Sequence, residues 1–156
     1  MPRLLPALAA VVLLAACTGP TSTAPQETAP PGPSYAPDIP LPEALQSNVA
    51  TVYEAGLGAA WESSDRGSFV VVVYGSSSCA PSPVTLTTTD SRTLALGFMA
   101  STDEICSADM AANTFRFEAP AAVARDGEVD LVITITITRS EGDQSTTVPI
   151  LPASSG

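Results

Sequence analysis

Three consecutive serines, Ser76 to Ser78, stand directly before Cys79 and are the first candidates for chemistry in this chain. A serine nucleophile needs a general base to take its proton, and that base is normally a histidine or a lysine. The sequence contains neither residue type, and its six basic residues are all arginines. The run also lacks the glycine spacing of a phosphate-binding loop or a nucleophile elbow. We therefore expect no catalytic residue here, and we interpret the serines as the polar exit of a strand.

Acidic side chains are the remaining groups that could hold a ligand. Asp103, Glu104 and Asp109 lie close in sequence around Cys106. A second acidic group follows later in the chain: Asp126, Glu128 and Asp130. Calcium binds carboxylate oxygens, although neither group has the ligand spacing of a calcium loop. The first group is our candidate site for a divalent cation or a small cationic ligand; a glycosidase pair is an alternative that would need two carboxyl groups across a cleft.

The N-terminus has the organisation of an export signal. Arg3 supplies a short positive start, and an almost uninterrupted apolar run extends from Leu4 to Ala16. Such a run is shorter than the roughly 20 residues that a helix needs to cross a bilayer. We predict that residues 1–16 are a signal peptide that is removed after export.

The four residues Leu14-Ala15-Ala16-Cys17 resemble the lipobox of bacterial lipoproteins. The resemblance covers all four positions and implies that the Cys17 thiol receives a diacylglycerol and becomes the new N-terminus. Two or more acyl chains, palmitate among them, would then hold the protein on the extracytoplasmic face of a bacterial membrane. An ordinary secretory signal that is cleaved before Cys17 is the competing interpretation.

The segment after Cys17 is expected to be a tether. Residues 18–37 contain six prolines, four threonines and no aliphatic side chain larger than alanine. Proline removes backbone donors and fixes φ, so such a segment forms an extended, solvated spacer without a core. We assign residues 17–38 to the lipidated cysteine and a disordered Pro/Thr-rich linker, and residues 39–153 to a single folded domain.

Strand patterns dominate the folded domain. Apolar residues alternate with polar ones from Val129 to Ile137, which is the period of a strand with one buried face. The run from Phe69 to Tyr74 is apolar on both faces and predicts a central strand that is covered on two sides. Shorter alternating patterns predict further strands with one buried face: Val84-Leu86-Thr88, Leu94-Leu96-Phe98 and Phe115-Phe117.

Turn signals separate these strands at residues 64–67, 89–91, 125–128 and 141–143. The sequence therefore predicts an all-β domain, a small antiparallel β-sandwich or partly open barrel, behind a signal helix and a disordered tether. Trp61 is expected in the core, on a strand that pairs with the Phe69–Tyr74 strand. Residues 41–54 fit either a short helix behind Pro42 or an irregular lead-in, and Val49, Val52 and Tyr53 would also fit a strand.

With Cys17 committed to lipid, Cys79 and Cys106 remain as an even pair in an oxidising compartment. We predict that they form a disulfide that closes a ring of about 28 residues and stabilises the domain by about 3 to 4 kcal/mol. Zinc and copper sites draw on imidazole or free thiolate, so we expect no metal and no cofactor.

A set of residues around these cysteines resembles an uncharacterised group of small exported bacterial lipoproteins. The shared features are an aromatic residue before a Val-rich strand, a Tyr-Gly-Ser-Ser-Ser-Cys end, a Pro-rich turn and a later Cys followed by Ala-Asp-Met. In this chain they are Trp61, Phe69 to Tyr74, Gly75 to Cys79, Pro81 to Pro83, and Cys106 to Met110, about half of the mature protein. The resemblance implies an exported single domain with the disulfide, and it implies no activity.

The charge balance limits the classes of partner that the protein can bind. The formal net charge is −10, and removal of Arg3 with the signal peptide would make the protein one unit more negative. Such a chain repels nucleic acid and anionic lipid headgroups, so we expect no nucleic-acid partner. The expected function is that of a non-catalytic interaction module, anchored by lipid and in contact with an envelope protein; the alternative is a cation- or small-ligand-binding protein that uses the clustered carboxylates.

Overall fold

A computed structural model of the protein describes residues 33–102, 105–123 and 130–154. The predicted signal peptide, Cys17 and most of the tether lie outside the described residues, as do Asp103, Glu104, Asp126, Glu128 and Val129. Eight strands and two helices occur in the order β1 (Tyr35–Pro37), α1 (Glu43–Ser47), α2 (Val49–Ala55), β2 (Leu57–Trp61), β3 (Ser68–Gly75), β4 (Ser82–Asp90), β5 (Thr93–Met99), β6 (Ala111–Glu118), β7 (Val132–Arg139) and β8 (Gly142–Leu151). Neither of the helices in these ranges is long and apolar enough to cross a membrane.

The strands form one sheet that curls into a half-barrel, with the order β1-β6-β3-β2-β8-β7-β5-β4. The predicted all-β fold, in its form of a partly open barrel, is confirmed. Five of the seven pairings are antiparallel, whereas β2 pairs with β8 and β5 pairs with β7 in parallel. The parallel pairing of β5 with β7 arises because the intervening strand, β6, lies in the other half of the sheet. Alternation along one strand carries no information about the direction of its neighbour, so this feature was not predicted.

Strand β3 lies in the middle of one half of the sheet and is buried on both faces, as predicted. Phe69, Val71 and Val73 point into the concave core, while Val70 and Val72 point to the convex side. Helices α1 and α2 cover that convex side with buried apolar residues that include Leu45 and Val52. The central strand is thus enclosed between the core and the helices.

The ambiguous segment 41–54 is helical. Helix α1 begins directly after Pro42, which fits the tolerance of helix starts for a residue without an N–H. On α2, Val52 is buried against β2 and β3, while Val49 and Tyr53 are each 48% exposed. The helix ends at Gly56, whose φ of 75° is readily adopted only by glycine. Helical spacing, with one buried face, therefore prevails over the strand alternative.

Trp61 lies in the core, as predicted, and pairs with Phe69 across the β2–β3 hairpin. The two rings are 5.7 Å apart in an edge-to-face arrangement, and the Trp61 side chain is 1% exposed. The guanidinium of Arg66, in the turn between the two strands, lies 5.8 Å from the Trp61 ring centre. The only tryptophan of the chain is thus held inside the half-barrel.

The long alternating pattern forms β7 and the residue before it. Leu131, Ile133 and Ile135 are buried in the concave core, as the alternation predicts. On the opposite face, the hydroxyls of Thr134 and Thr136 are each 2.8 Å from a hydroxyl on β8, that of Thr147 and that of Ser145 respectively. The polar threonines thus form a hydroxyl ladder on the convex surface.

Strand β4 differs from its predicted orientation at one residue. The register with β5 shifts between Pro83 and Thr85, so both Val84 and Thr85 lie opposite Gly97. This β-bulge leaves Val84 40% exposed, although alternation with Leu86 predicted that it would face the core. The prediction was wrong at Val84 because an extra residue in one strand reverses the alternation locally.

The sheet also begins earlier than the predicted domain boundary at residue 39. Residues Tyr35–Pro37, in the segment predicted to be a disordered linker, form β1 and pair with Phe117 to Phe115 of β6. The backbone N–H of Asp38 then donates to the carbonyl of Thr114 at 3.1 Å. An edge strand accepts proline where its N–H would face solvent, so the composition of this segment is compatible with pairing.

Candidate functional site

Seven of the strands have one terminus at the same end of the half-barrel, which we call the disulfide end. Strands β3, β5 and β7 finish there, and β2, β4, β6 and β8 start there, as their registers require. The described parts of the four connections that meet at this end are Gly56, residues 76–81, residues 100–102 with 105–110, and residues 140–141. The serines, both cysteines of the folded domain and Asp109, all singled out in the sequence, are therefore gathered in one place.

The predicted disulfide is confirmed. Cys79 and Cys106 are bonded, with their Cα atoms 5.5 Å apart. The bond joins the β3–β4 loop to the connection between β5 and β6. Both loops cross from one half of the curled sheet to the other, from β3 to β4 and from β5 to β6, so the bond joins the two crossovers at this end.

A serine cluster lies beside the disulfide and consists of Ser76, Ser77, Ser78 and Ser107. The Ser107 hydroxyl is 2.8, 3.1 and 3.2 Å from the hydroxyls of Ser76, Ser77 and Ser78. The Ser107 N–H also donates to the Ser78 hydroxyl at 2.8 Å. The serine run is indeed the exit of a strand, since β3 ends at Gly75. The sequence analysis did not identify Ser107 as the partner of all three serines.

Asp109 completes this network. Its carboxylate accepts hydrogen bonds from the Ser107 hydroxyl and, at 3.0 Å, from the Ser77 N–H. The pKa of Asp109 is lowered to about 2, mainly by the hydrogen bond from the Ser107 hydroxyl and further by the hydrogen bonds from Ser77. The carboxylate therefore tethers the two loops to each other as an ionised acceptor.

The predicted cation site comprised Asp103, Glu104 and Asp109, and the first two lie outside the described residues. Within the part of the chain that the structure describes, no three His, Cys, Asp or Glu side chains converge on one point. At Asp109, a carboxylate oxygen is already used by Ser107 and Ser77. The cation site stays a prediction.

A cavity of about 350 Å³ opens at the disulfide end, between the ends of the strands and the cross-linked loops. Apolar side chains on the concave face form its floor: Leu57, Val73 and Ile137. Polar side chains of β7 and β8 also line it: Arg139, Gln144 and Thr146. Its volume is at the lower end of the range of small-molecule sites.

On the concave face of the β7–β8 hairpin, the polarity of the facing residue pairs changes along the strands. From the middle of the barrel outward, facing pairs on this side are Ile133 with Val148, Ile135 with Thr146, Ile137 with Gln144 and Arg139 with Gly142. The pairs thus change from purely apolar to mixed and finally to charged as the cavity is reached. The sequence analysis placed Ile133, Ile135 and Ile137 in the core but assigned no role to Arg139, Gln144 or Thr146.

Exposed apolar side chains surround the same end. Ile105 is 90% exposed, Met110 is 54% exposed and Met99 is 45% exposed. Ile105 and Met110 flank the segment that carries Cys106, and Met99 is the last residue of β5. Exposed apolar side chains contribute to contact surfaces where they form a contiguous patch.

Two carboxyl groups of the described residues have pKa values that depart from the ordinary value. The pKa values of Asp90 and Asp109 are both lowered, mainly by the backbone N–H of Arg92 for Asp90 and by the Ser107 hydroxyl for Asp109. A catalytic acid of the glycosidase type has its pKa raised by burial, which is the opposite direction.

Comparison with protein families, with curated proteins and with solved structures finds no match to this chain.

Proposed function

We propose that this protein is a lipid-anchored, non-catalytic contact module on the extracytoplasmic face of a bacterial membrane, and that it binds an envelope protein through its disulfide end. The apolar leader, the lipobox-like Leu14 to Cys17 and the Pro/Thr-rich segment support the anchor. The membrane is thus engaged through lipid on Cys17, and the folded domain is displayed by the tether.

The position at which the tether enters the sheet carries the proposal. Strand β1 pairs Tyr35 with Phe117 and Pro37 with Phe115, near the C-terminal end of β6. The disulfide end lies at the other end of β6, where Ala111 pairs with Gly75. The described chain thus enters the sheet at the end opposite the disulfide, and the exposed Ile105 and Met110 lie at the other end from this point of entry.

The cross-linked loops also fit a contact surface. The disulfide, the serine cluster and the Asp109 carboxylate hold residues 76–81 against residues 105–109. A surface that is already ordered loses less conformational entropy when a partner binds, which favours affinity. Loops on a rigid scaffold are where binding residues are commonly found.

Site-specific photo-crosslinking in cells tests the contact. A photoreactive residue at Ile105 or Met110 should give a discrete adduct with another envelope protein. The matched control is the same residue at Val49, which at 48% is exposed to a similar extent as Met110 but lies on helix α2. Equal adducts from Val49, or none from Ile105 and Met110 at normal expression, would contradict the proposal.

Cell fractionation tests the anchor separately. The wild-type protein should appear in the membrane fraction, and the Cys17→Ala variant should lose both the acyl chains and that location. Membrane retention of Cys17→Ala would rule out anchorage through this thiol, whatever the crosslinking result.

A further inference from the structure

The cavity at the disulfide end has a charge pattern that differs from the rest of the protein. The chain carries sixteen acidic residues and six arginines. In the described residues around the cavity, the lining contains Arg139 and no carboxylate. A cavity with this lining should select anions, although the whole protein is strongly negative.

Arg139 is available for a ligand. It is exposed, it occupies a concave-face position at the end of β7, and it forms no ion pair within the described residues. Glu141 lines a neighbouring cavity together with Arg139 but is not within ion-pair distance of it. A guanidinium offers parallel N–H donors that match the two oxygens of a carboxylate.

The other lining residues indicate the chemistry of the part of the ligand that lies beyond Arg139. Below Arg139 the floor is formed by Leu57, Val73 and Ile137, which would cover an apolar group. Gln144 and Thr146, on the adjacent wall, can hydrogen-bond oxygen atoms near the carboxylate. A volume of about 350 Å³ accommodates a compact ligand of this kind.

We infer that this cavity binds a small carboxylic acid with an apolar body, its carboxylate paired with Arg139 and its body on the apolar floor. The site goes beyond the proposed protein contact, because it needs no partner protein to be filled. A ligand here would also lie beside Ser76 and Cys79, which line the cavity.

Calorimetric titration of the intact lipidated protein in phosphatidylcholine nanodiscs tests the inference, with empty nanodiscs as the reference. The probe is 3-phenylpropanoate, compared with the neutral 3-phenylpropan-1-ol and with phenyl phosphate. The carboxylate should bind at least about tenfold more tightly than the alcohol, because a charge-assisted pair with Arg139 is lost in the alcohol. Absence of carboxylate binding at millimolar concentration, or equal binding of the alcohol, overturns the inference; tighter binding of phenyl phosphate overturns the assignment to carboxylic acids.

Two arginine variants locate the binding site. Arg139→Gln should weaken 3-phenylpropanoate binding by about tenfold or more and leave the alcohol unchanged. Arg92→Gln removes the same charge in the β4–β5 turn, at the end opposite the disulfide, and should leave binding unchanged. Equal weakening in both variants would indicate a general charge effect and reject the site. Crosslinking at Ile105 requires no cavity ligand, so failure of this titration is distinguishable from failure of the contact proposal.

Discussion

At the scale of single residues, Asp109 has the clearest consequence for stability. Its pKa is lowered from 3.8 to about 2, mainly by the hydrogen bond from the Ser107 hydroxyl. A carboxyl whose pKa is lowered on folding stabilises the folded state at pH values above its unfolded pKa. We predict that this contribution is complete above about pH 4 and is lost as the pH falls towards 2. Urea denaturation at several pH values, compared between wild type and Asp109→Asn, measures it.

The variant should be less stable than wild type at neutral pH, and the difference should shrink between pH 4 and pH 2. Asp143→Asn is the matched control, because it removes the same charge from the start of β8, outside the Ser107 network. A difference between wild type and Asp109→Asn that does not change with pH would show that the amide perturbs the loop by another route.

The bulge in β4 brings the Thr85 side chain close to Gly97 of β5. A Cβ atom at residue 97 would lie 2.5 Å from the hydroxyl oxygen of Thr85 and 3.8 Å from its Cβ. We predict that Gly97→Ala destabilises the protein by about 1 to 3 kcal/mol, and that Thr85→Ala in the same chain removes most of that loss. A double-mutant cycle by chemical denaturation measures the coupling, and additive effects of the two changes would contradict this explanation.

At the disulfide end, the sequence predicted the disulfide but not the roles of Ser107 and Arg139. The bond between Cys79 and Cys106 followed from the count of cysteines and the predicted compartment. Ser107 and Arg139 had no local signal, because their roles depend on loops and strands that are distant in sequence and meet only in the fold. Spacing rules describe neighbours within one helix or strand, and this site is assembled from four separate connections.

At the scale of elements, the disulfide joins the two loops that cross between the halves of the sheet. Cys79 and Cys106 are 27 residues apart in sequence, and cross-linking them restricts the unfolded chain. We predict that Cys79→Ala with Cys106→Ala lowers the free energy of unfolding by about 3 to 4 kcal/mol. Guanidinium denaturation measures this loss, and wild type under reducing conditions should match the double variant. A loss below about 1 kcal/mol would mean that the serine cluster and Asp109 hold these loops without the bond.

Strands with regular alternation were predicted well, while irregular elements were not. Strands β7 and β3 could be recognised in the sequence. Burial on one face gives the alternating pattern of β7, and burial on both faces gives the continuous apolar run of β3. The bulge at Val84 was hidden, since one extra residue shifts the alternation without changing composition. The short β1 was also missed, because Pro37 and its neighbours resemble a linker until β6 offers a strand to pair with.

At the scale of the whole molecule, both halves of the half-barrel contribute to one concave core. Phe98 of β5 packs against Phe115 of β6, with ring centres 5.1 Å apart, across the interior. The core continues from these rings to Trp61 in one half and Ile135 in the other. The two halves are joined along the sheet by only a short parallel pairing of β2 with β8. The shared core, rather than the sheet alone, should make the domain unfold as a unit.

We predict that Phe98→Ala destabilises both halves together, by about 3 to 5 kcal/mol, because it leaves a cavity between them. Trp61 fluorescence reports on one half and far-UV circular dichroism on all strands, so the two signals should give coincident denaturation curves in wild type and in the variant. Met99→Ala, at the next residue of β5 and 45% exposed, is the control and should change stability by less than about 0.5 kcal/mol. Separate transitions for fluorescence and circular dichroism would mean that each half folds on its own.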